Sequence, residues 1–419
     1  MESTFNADPL EYFPYEVSER ILSYLSVKNL MRVSAVNSLW YDFIGQSKRL
    51  MKNVKIKIRN QDYKKRTICH LLTSTRNYET FEIDTMDLRS INVIFELLQS
   101  QQWRNVIIKN LYFTTASQAH MFFSLIQDSV RSLEMRGAYI LYPNGIDKNH
   151  GLVFPNLRRF TAITTKSAYI LLEMFQNVRH LTHFSLKSAE LNEAASNAVM
   201  EILKSNDKLE VLNISNAALF PLLYLDKITI PCKLRQLSIL NENNREGRKN
   251  SENFIALLQD QRESLQTIIL DKLFEEDVLK AIYALPKLRM LSIKEFTNID
   301  AYNNLMLTRS KSIKQLYINV LPENFNLLKA IIVATPNLYS LTVLHMNYKF
   351  MKFISKNLPN LRGLSIGFPN ISYLPRGDIF KNLGYLYVQN YKPSLRKSIL
   401  RRKFHSLSNF EQLLFRTLA

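Results

Sequence analysis

The sequence predicts a mixed α/β chain: a short helical module at the N-terminus, then a solenoid of about 14 strand–helix repeats. Three observations carry this. From about residue 50 onward one Leu-rich apolar phrase returns at a near-constant interval. Helical patterns fill the intervals between phrases. Residues before that point lack the phrase and carry the opposite charge.

The balance of charge separates the two parts. Residues 1–48 hold six acids (Glu2, Asp8, Glu11, Glu16, Glu19, Asp42) against four bases (Arg20, Lys28, Arg32, Lys48), a net of −2. The whole chain of 419 residues is +19, so the remainder is +21. A body this basic suits an acidic partner, nucleic acid or an anionic surface, although abundant Lys, Asn and Ile also fit a biased genome. Two cysteines, Cys69 and Cys232, exclude a disulfide framework and fit a reducing compartment, cytoplasmic or nuclear. Apolar runs such as Ala330–Ala334 fall far short of the ~18 residues of a membrane span. The opening MESTFNADPLEYF lacks the basic and apolar regions of a secretory signal.

Within the first module, Pro14 stands where it can open a helix, since its missing N–H costs nothing in the first turn. Glu16 and Glu19 follow at the positive end of the helix dipole. Val17, Ile21, Leu22 and Leu25 recur at three- and four-residue spacing. Ser26-Val27-Lys28-Asn29 breaks the period and offers Ser26 or Asn29 as a cap. A second stripe runs through Leu30, Val33, Val36, Leu39, Trp40 and Phe43. About 35 residues cannot bury enough surface to stand alone. Spacing leaves two readings open: the stripes dock on a partner, or they cap the open end of the repeats.

This stretch resembles an F-box. The residues that carry the resemblance are Phe13-Pro14, Glu16, Val17, Ile21-Leu22-Ser23-Tyr24-Leu25, Lys28-Asn29-Leu30, Val33, Val36 and Trp40, with Phe13 where the pattern has Leu. The resemblance implies docking on the Skp-type adaptor of cullin–RING ubiquitin ligases. The expected contacts are Phe13, Pro14, Val17, Ile21, Leu25, Leu30, Val33 and Val36, while Trp40 and Phe43 turn back toward the first repeat.

After a basic run from Lys48 to Arg66, the phrase L-x-x-L-x-L/I takes over. Clear copies are Leu209-Leu212-Ile214, Leu234-Leu237-Ile239, Leu265-Ile268-Leu270, Leu288-Leu291-Ile293, Ile313-Leu316-Ile318, Leu338-Leu341-Val343, Leu361-Leu364-Ile366 and Leu383-Leu386-Val388. Looser copies centre on Val54, Phe81, Val106, Leu133, Phe160 and Phe184. Fourteen central positions between 54 and 386 give a mean period of about 25.5, the interval of leucine-rich repeats. Alternation within the phrase makes a half-buried strand. Val199-Ile202-Leu203, Phe254-Leu257-Leu258, Val278-Ala281-Ile282-Leu285 and Phe350-Phe353-Ile354-Leu358 make the intervening helices. Pro155, Pro286, Pro336 and Pro359 stop helices ahead of the next phrase. Stacked units of this kind curve into a horseshoe. Asn241 to Arg248 and Leu141 to Gly151 read as surface insertions.

The expected organisation is therefore an F-box over 8–48, leucine-rich repeats over 49–391 and a basic capping segment over 392–419. Across nearly its whole length the chain resembles an F-box and leucine-rich-repeat protein. That resemblance implies a substrate-recognition subunit of a Skp–cullin–F-box ubiquitin ligase, marking a target for ubiquitination and proteasomal degradation. The alternative is a non-ligase scaffold that binds nucleic acid or another acidic partner through the basic body.

The seven His are scattered, and His180 and His183 have no third ligand or general base beside them. No nucleophile elbow, phosphate-binding loop or CxxC is present, so neither catalysis, cofactor nor metal is expected. Target recognition is assigned to strand residues flanking the central apolar positions. On the N-terminal side these include Lys55, Lys57, Lys109, Arg136, Arg159 and Lys187, opposed by Glu82, Asp84 and Glu134. On the C-terminal side Met290, Lys294, Tyr317, Asn319, Tyr385 and Tyr387 are the candidates, since Tyr offers large area with few rotors. A chain with 20 Tyr also places some there by composition alone.

Overall fold

The computed structural model describes residues 8–59, 70–84, 91–142, 152–164, 169–188, 193–215, 230–240, 251–273, 275–296, 302, 305–320, 324–369 and 383–388. Cys69, the insertion over 241–248 and the basic segment over 392–419 lie outside these residues, as does most of the insertion that follows Leu141. The chain divides into two compact units, Met1–Lys208 and Leu209–Ala419.

The first unit opens with five short helices: α1 (Pro9–Tyr12), α2 (Tyr15–Leu22), α3 (Val27–Val33), α4 (Ser38–Gln46) and α5 (Lys48–Met51). Each start has a local cause. Asp8 accepts from Leu10 N–H, Ser26 from Asn29 N–H, Asn37 from Trp40 N–H and Ser47 from Leu50 N–H, so four of the five carry a side-chain cap. Pro14 stands just ahead of α2. Asp8 also accepts from Asn37 and from the Trp40 indole, folding the N-terminal turn back onto α4. The inward sides meet in one core of Leu22, Leu30, Ile44, Leu50, Met51 and Val54, with Met31, Val33, Trp40, Phe43 and Tyr78 packed against it.

Six parallel strands follow in the order β1-β2-β3-β5-β7-β8: β1 (Lys55–Arg59), β2 (Thr80–Asp84), β3 (Asn105–Lys109), β5 (Ser132–Arg136), β7 (Arg159–Thr164) and β8 (His183–Ser188). Between them lie helices α6 (Ile91–Ser100), α7 (Ala116–Ser124) and α8 (Tyr169–Met174), and α9 (Glu193–Ser205) closes the unit. The register aligns Ile56, Phe81, Val106, Leu133, Phe160 and Phe184 in one buried line. The first repeat therefore centres on Ile56, one alternation later than the Val54 that the phrase suggests. Val54 belongs to the helical core instead.

Two strands have no counterpart in the sequence reading. β4 (Tyr112–Thr115) and β6 (Tyr139–Tyr142) form a second, two-stranded parallel sheet. Asn110 and Gly137, both at positive φ, turn the chain into them. Asn110 N–H donates to Arg136 O, and Gly137 N–H to Ile163 O. A Cβ at 137 would stand 3.3 Å from Asn110 Oδ1.

The second unit repeats the strand–helix plan with eight parallel strands. They are β9 (Val211–Ser215), β10 (Gln236–Leu240), β11 (Thr267–Leu273), β12 (Met290–Phe296), β13 (Gln315–Ile318), β14 (Ser340–Met346), β15 (Gly363–Pro369) and β16 (Tyr385–Val388). The helices among the described residues are α10 (Ser251–Asp260), α11 (Glu276–Tyr283), α12 (Phe325–Ala334) and α13 (Tyr348–Asn357). Leu212, Leu237, Ile268, Leu291, Leu316, Leu341, Leu364 and Leu386 stand in one register line. Mixed α/β character and a long parallel ladder are thus present as expected.

Buried amides tie successive repeats together. In the first unit Asn206 donates to Val178 O and Ile202 O and accepts from Leu181 N–H, closing the turn ahead of a strand. Gln261 does the same work in the second unit by accepting from Leu234 N–H at 2.8 Å. Each satisfies backbone groups that burial would otherwise leave unpaired.

Candidate functional surfaces

Helices α2 and α3 leave one side uncovered. Phe13 is 49% exposed, Val17 42%, Ile21 51%, Leu25 37% and Val36 67%. Pro14 is exposed beside them. Of the eighteen large apolar residues exposed among the described residues, eleven fall between Tyr12 and Tyr41. Such concentration is unusual, because exposed apolar residues are ordinarily scattered. Tyr24 and Leu39 belong to the same uncovered set; Leu39 stands in the second stripe and Tyr24 in the F-box-like pattern, and neither is among the expected contacts.

Leu30 corrects the sequence reading. It is buried in the helical core and cannot touch a partner directly. Val33 is half-buried against the same core. A short helix with apolar residues at both i, i+3 and i, i+4 has two candidate faces, and the side that Leu22 and Leu30 share is the inward one.

Arg76 joins this module to the first repeats. Its guanidinium donates to Ser34 Oγ at 3.0 Å and Met31 Sδ at 3.3 Å, and stands 4.1 Å from the centre of the Tyr41 ring. Next to it, Asn77 N–H donates to Gly45 O and the Asn77 amide to Gln46 O. A Cβ on Gly45 would come within 2.9 Å of Arg76 Cγ, so only glycine allows this approach.

The strand side chains that alternate with the buried lines form a different surface in each unit. In the first unit they include seven bases (Lys55, Lys57, Arg59, Lys109, Arg136, Arg159, Lys187) and three acids (Glu82, Asp84, Glu134). Glu82 is buried at the centre of three lysines: Lys55 Nζ at 2.6 Å, Lys57 Nζ at 2.6 Å and Lys109 Nζ at 2.8 Å. Burial alone would raise its carboxyl, but hydrogen bonds from Lys109, Lys55 and Lys57 prevail and hold it at about 2. The same bond raises Lys57 above its ordinary value. Arg136 pairs with Glu134.

In the second unit the corresponding positions are almost uncharged. Lys294 and Asp271 pair at 2.7 Å. Met290, Tyr317 and Asn319 are half-buried. Tyr317 stands in register with Ser292 and Thr342. Tyr385 is exposed and lies across Gly363, where any Cβ would collide with its ring, and its hydroxyl reaches Ser340 Oγ at 3.0 Å. Tyr387 is in register with Ser365, and its side chain lies outside the description.

His180 occupies a positive-φ turn, and His183 hydrogen-bonds the Thr182 hydroxyl. Among the described residues no group of three or more His, Cys, Asp or Glu is placed to hold a metal ion. None of the described helices is long and apolar enough to cross a membrane.

Residues 10–57 match the F-box-like family model. They are an F-box-like segment. The chain thus joins an F-box to a leucine-rich-repeat array. No curated protein matches the sequence. Among solved structures, a leucine-rich-repeat protein of Leptospira interrogans is similar at 13% identity and TM-score 0.34, over 86% of this chain and all of that one. TLR13 in its complex with ssRNA13 is similar at 12% identity and TM-score 0.35, over 82% of this chain and 61% of that one. A structural-genomics target from Bacteroides fragilis gives 10% identity and TM-score 0.31, over 71% of this chain and 68% of that one. At such values they add nothing about function to what the chain's own strand pairing gives.

Proposed function

We propose that the chain is the substrate-recognition subunit of a Skp–cullin–F-box ubiquitin ligase, acting in the cytoplasm, the nucleus or both. The F-box docks a Skp-type adaptor, and through it the cullin. The repeats hold a target protein for ubiquitination and degradation. One observation carries the reading: among the described residues, the exposed large apolar side chains are concentrated on the segment that matches the F-box-like model. Phe13, Pro14, Val17, Ile21, Leu25 and Val36 form the contact, Val33 supports it from the edge of the core, and Leu30 holds the helices from within. The chain supplies no reacting group. It raises the local concentration of a target lysine near the ubiquitin-loaded partner enzyme.

Affinity purification of the full chain beside the double variant Pro14→Ala, Leu25→Asp tests this. Adaptor and cullin should co-purify with the first and be lost from the second. Their absence from the wild-type eluate, or their persistence with the variant, would end the ligase reading. Proteins retained equally by both baits are candidate targets.

A further inference from the structure

Charge is segregated between the strand surfaces of the two units. The first unit places seven bases and three acids there, whereas the charged side chains at the matching positions of the second are Lys294 and Asp271, paired to each other. Nothing in the strand fold requires this, because both buried lines are equally apolar. Three ammonium groups in the first unit converge on the single carboxylate of Glu82. Each ammonium has three donors, and one from each goes to Glu82. Asp84, 3.4 Å from Lys57, offsets part of the remaining charge. Arg159 and Lys187 continue the positive field on β7 and β8.

We infer that this surface is a docking site for an acidic, extended polypeptide segment, held by Lys55, Lys57, Lys109, Arg159 and Lys187. Glu82 positions the lysines and leaves them with donors to spare. Neighbouring strands are ~4.8 Å apart, so β1 to β8 spans roughly 24 Å, the length of about seven extended residues at ~3.3 Å each. Carboxylates on alternate residues of such a segment face one way, ~6.6 Å apart, so three or four of them fall across these strands. A peptide fits better than a nucleic acid. The surface has no Phe, Tyr or Trp at its strand positions on which bases could stack. Where the segment belongs to the ubiquitination target, the inference rests on the ligase reading; the binding itself does not.

Fluorescence anisotropy on the full chain tests it, with three labelled probes of equal length: a peptide alternating Glu and Ser, one alternating Gln and Ser, and a single-stranded oligonucleotide. The Glu peptide should bind, the Gln peptide should bind at least about tenfold more weakly, and added salt should weaken the Glu peptide steeply. Arg159→Glu with Lys187→Glu, which leaves the Glu82 cluster intact, should weaken the Glu peptide about tenfold or more. Lys356→Gln, at an exposed position on α13 of the second unit, should leave it unchanged. Equal binding of the Glu and Gln peptides would overturn the inference, as would wild-type affinity in the Arg159/Lys187 variant. Tighter binding of the oligonucleotide than of the Glu peptide would replace it with the nucleic-acid reading. Adaptor capture is scored separately, so failure of the peptide site and failure of the ligase reading are told apart.

Discussion

Ile21→Asp probes the docking face with the least risk to the fold. Ile21 is half exposed on α2, while its neighbour Leu22 is in the core. The uncovered parts of Phe13, Val17, Ile21, Leu25 and Val36 amount to about two and a half whole apolar side chains. At ~1.5–3 kcal/mol per side chain, covering them is worth roughly 4–7 kcal/mol. Removing the Ile21 share costs about 1 kcal/mol, and an unpaired carboxylate pressed into an apolar contact costs several more. Affinity for a Skp-type adaptor should therefore fall at least about 100-fold. Titration calorimetry on purified proteins reads this, with circular dichroism and thermal melting as controls for folding. Leu30→Ala supplies the contrast. It empties a core position and should destabilise by about 2–5 kcal/mol, with binding lost only as far as the helices unfold. An Ile21→Asp chain that melts like wild type and binds within about threefold of it would refute the assignment of this face.

Other outcomes follow from the strand surfaces and the joint. The Glu82 carboxyl lies at about 2, below its ordinary 4.5. Its contribution is therefore full above about pH 5 and lost as pH falls toward 2, roughly 3 kcal/mol in all. Urea unfolding at stepped pH should show this loss in the wild type and a flatter profile in Glu82→Gln. Gly363→Ala should cost about 1–3 kcal/mol by driving Tyr385 off its seat, and Tyr385→Ala should remove most of that penalty in a double-mutant cycle. Arg76→Ala should destabilise by about 2 kcal/mol through the lost hydrogen bonds and ring contact. Hydrogen exchange should then speed up in α3 and α4 ahead of the strands; uniform exchange across the unit would contradict the role given to Arg76.

The ladder was legible because one phrase, repeated, leaves few places for its strands. Thirteen of the fourteen central positions hold their places in the register. The exception shows the limit of pattern reading. Val54, Ile56 and Ile58 alternate, so a slip of two residues keeps every side chain on its own face and changes no pattern. Only packing separates them, and Val54 is taken by Leu22 and Leu30. Leu30 was misplaced for a related reason, since a stripe records that a face is apolar and not which neighbour covers it. The β4–β6 sheet depends on positive φ at Asn110 and Gly137, and residue type only permits such a conformation. Asn206 and Gln261 were invisible because nothing in composition tells a buried bridging amide from an exposed one.

The two readings of the N-terminal stretch, docking and capping, are compatible because α2 and α3 have two apolar sides. The inner side shares a core with Val54 and Tyr78, which lead into the first two strands. Arg76 and Asn77 add hydrogen bonds across the same joint. A module fixed this way is not a tethered arm, for which any orientation would serve. Its outer side is held at a set angle to β1 and β2 by packing, a cation–ring contact and backbone hydrogen bonds together. Under the proposed ligase function, in which the chain works by proximity, this matters more than affinity at either surface. A loose joint would preserve both bindings and still blur the placement of the target lysine, the one quantity that proximity catalysis depends on.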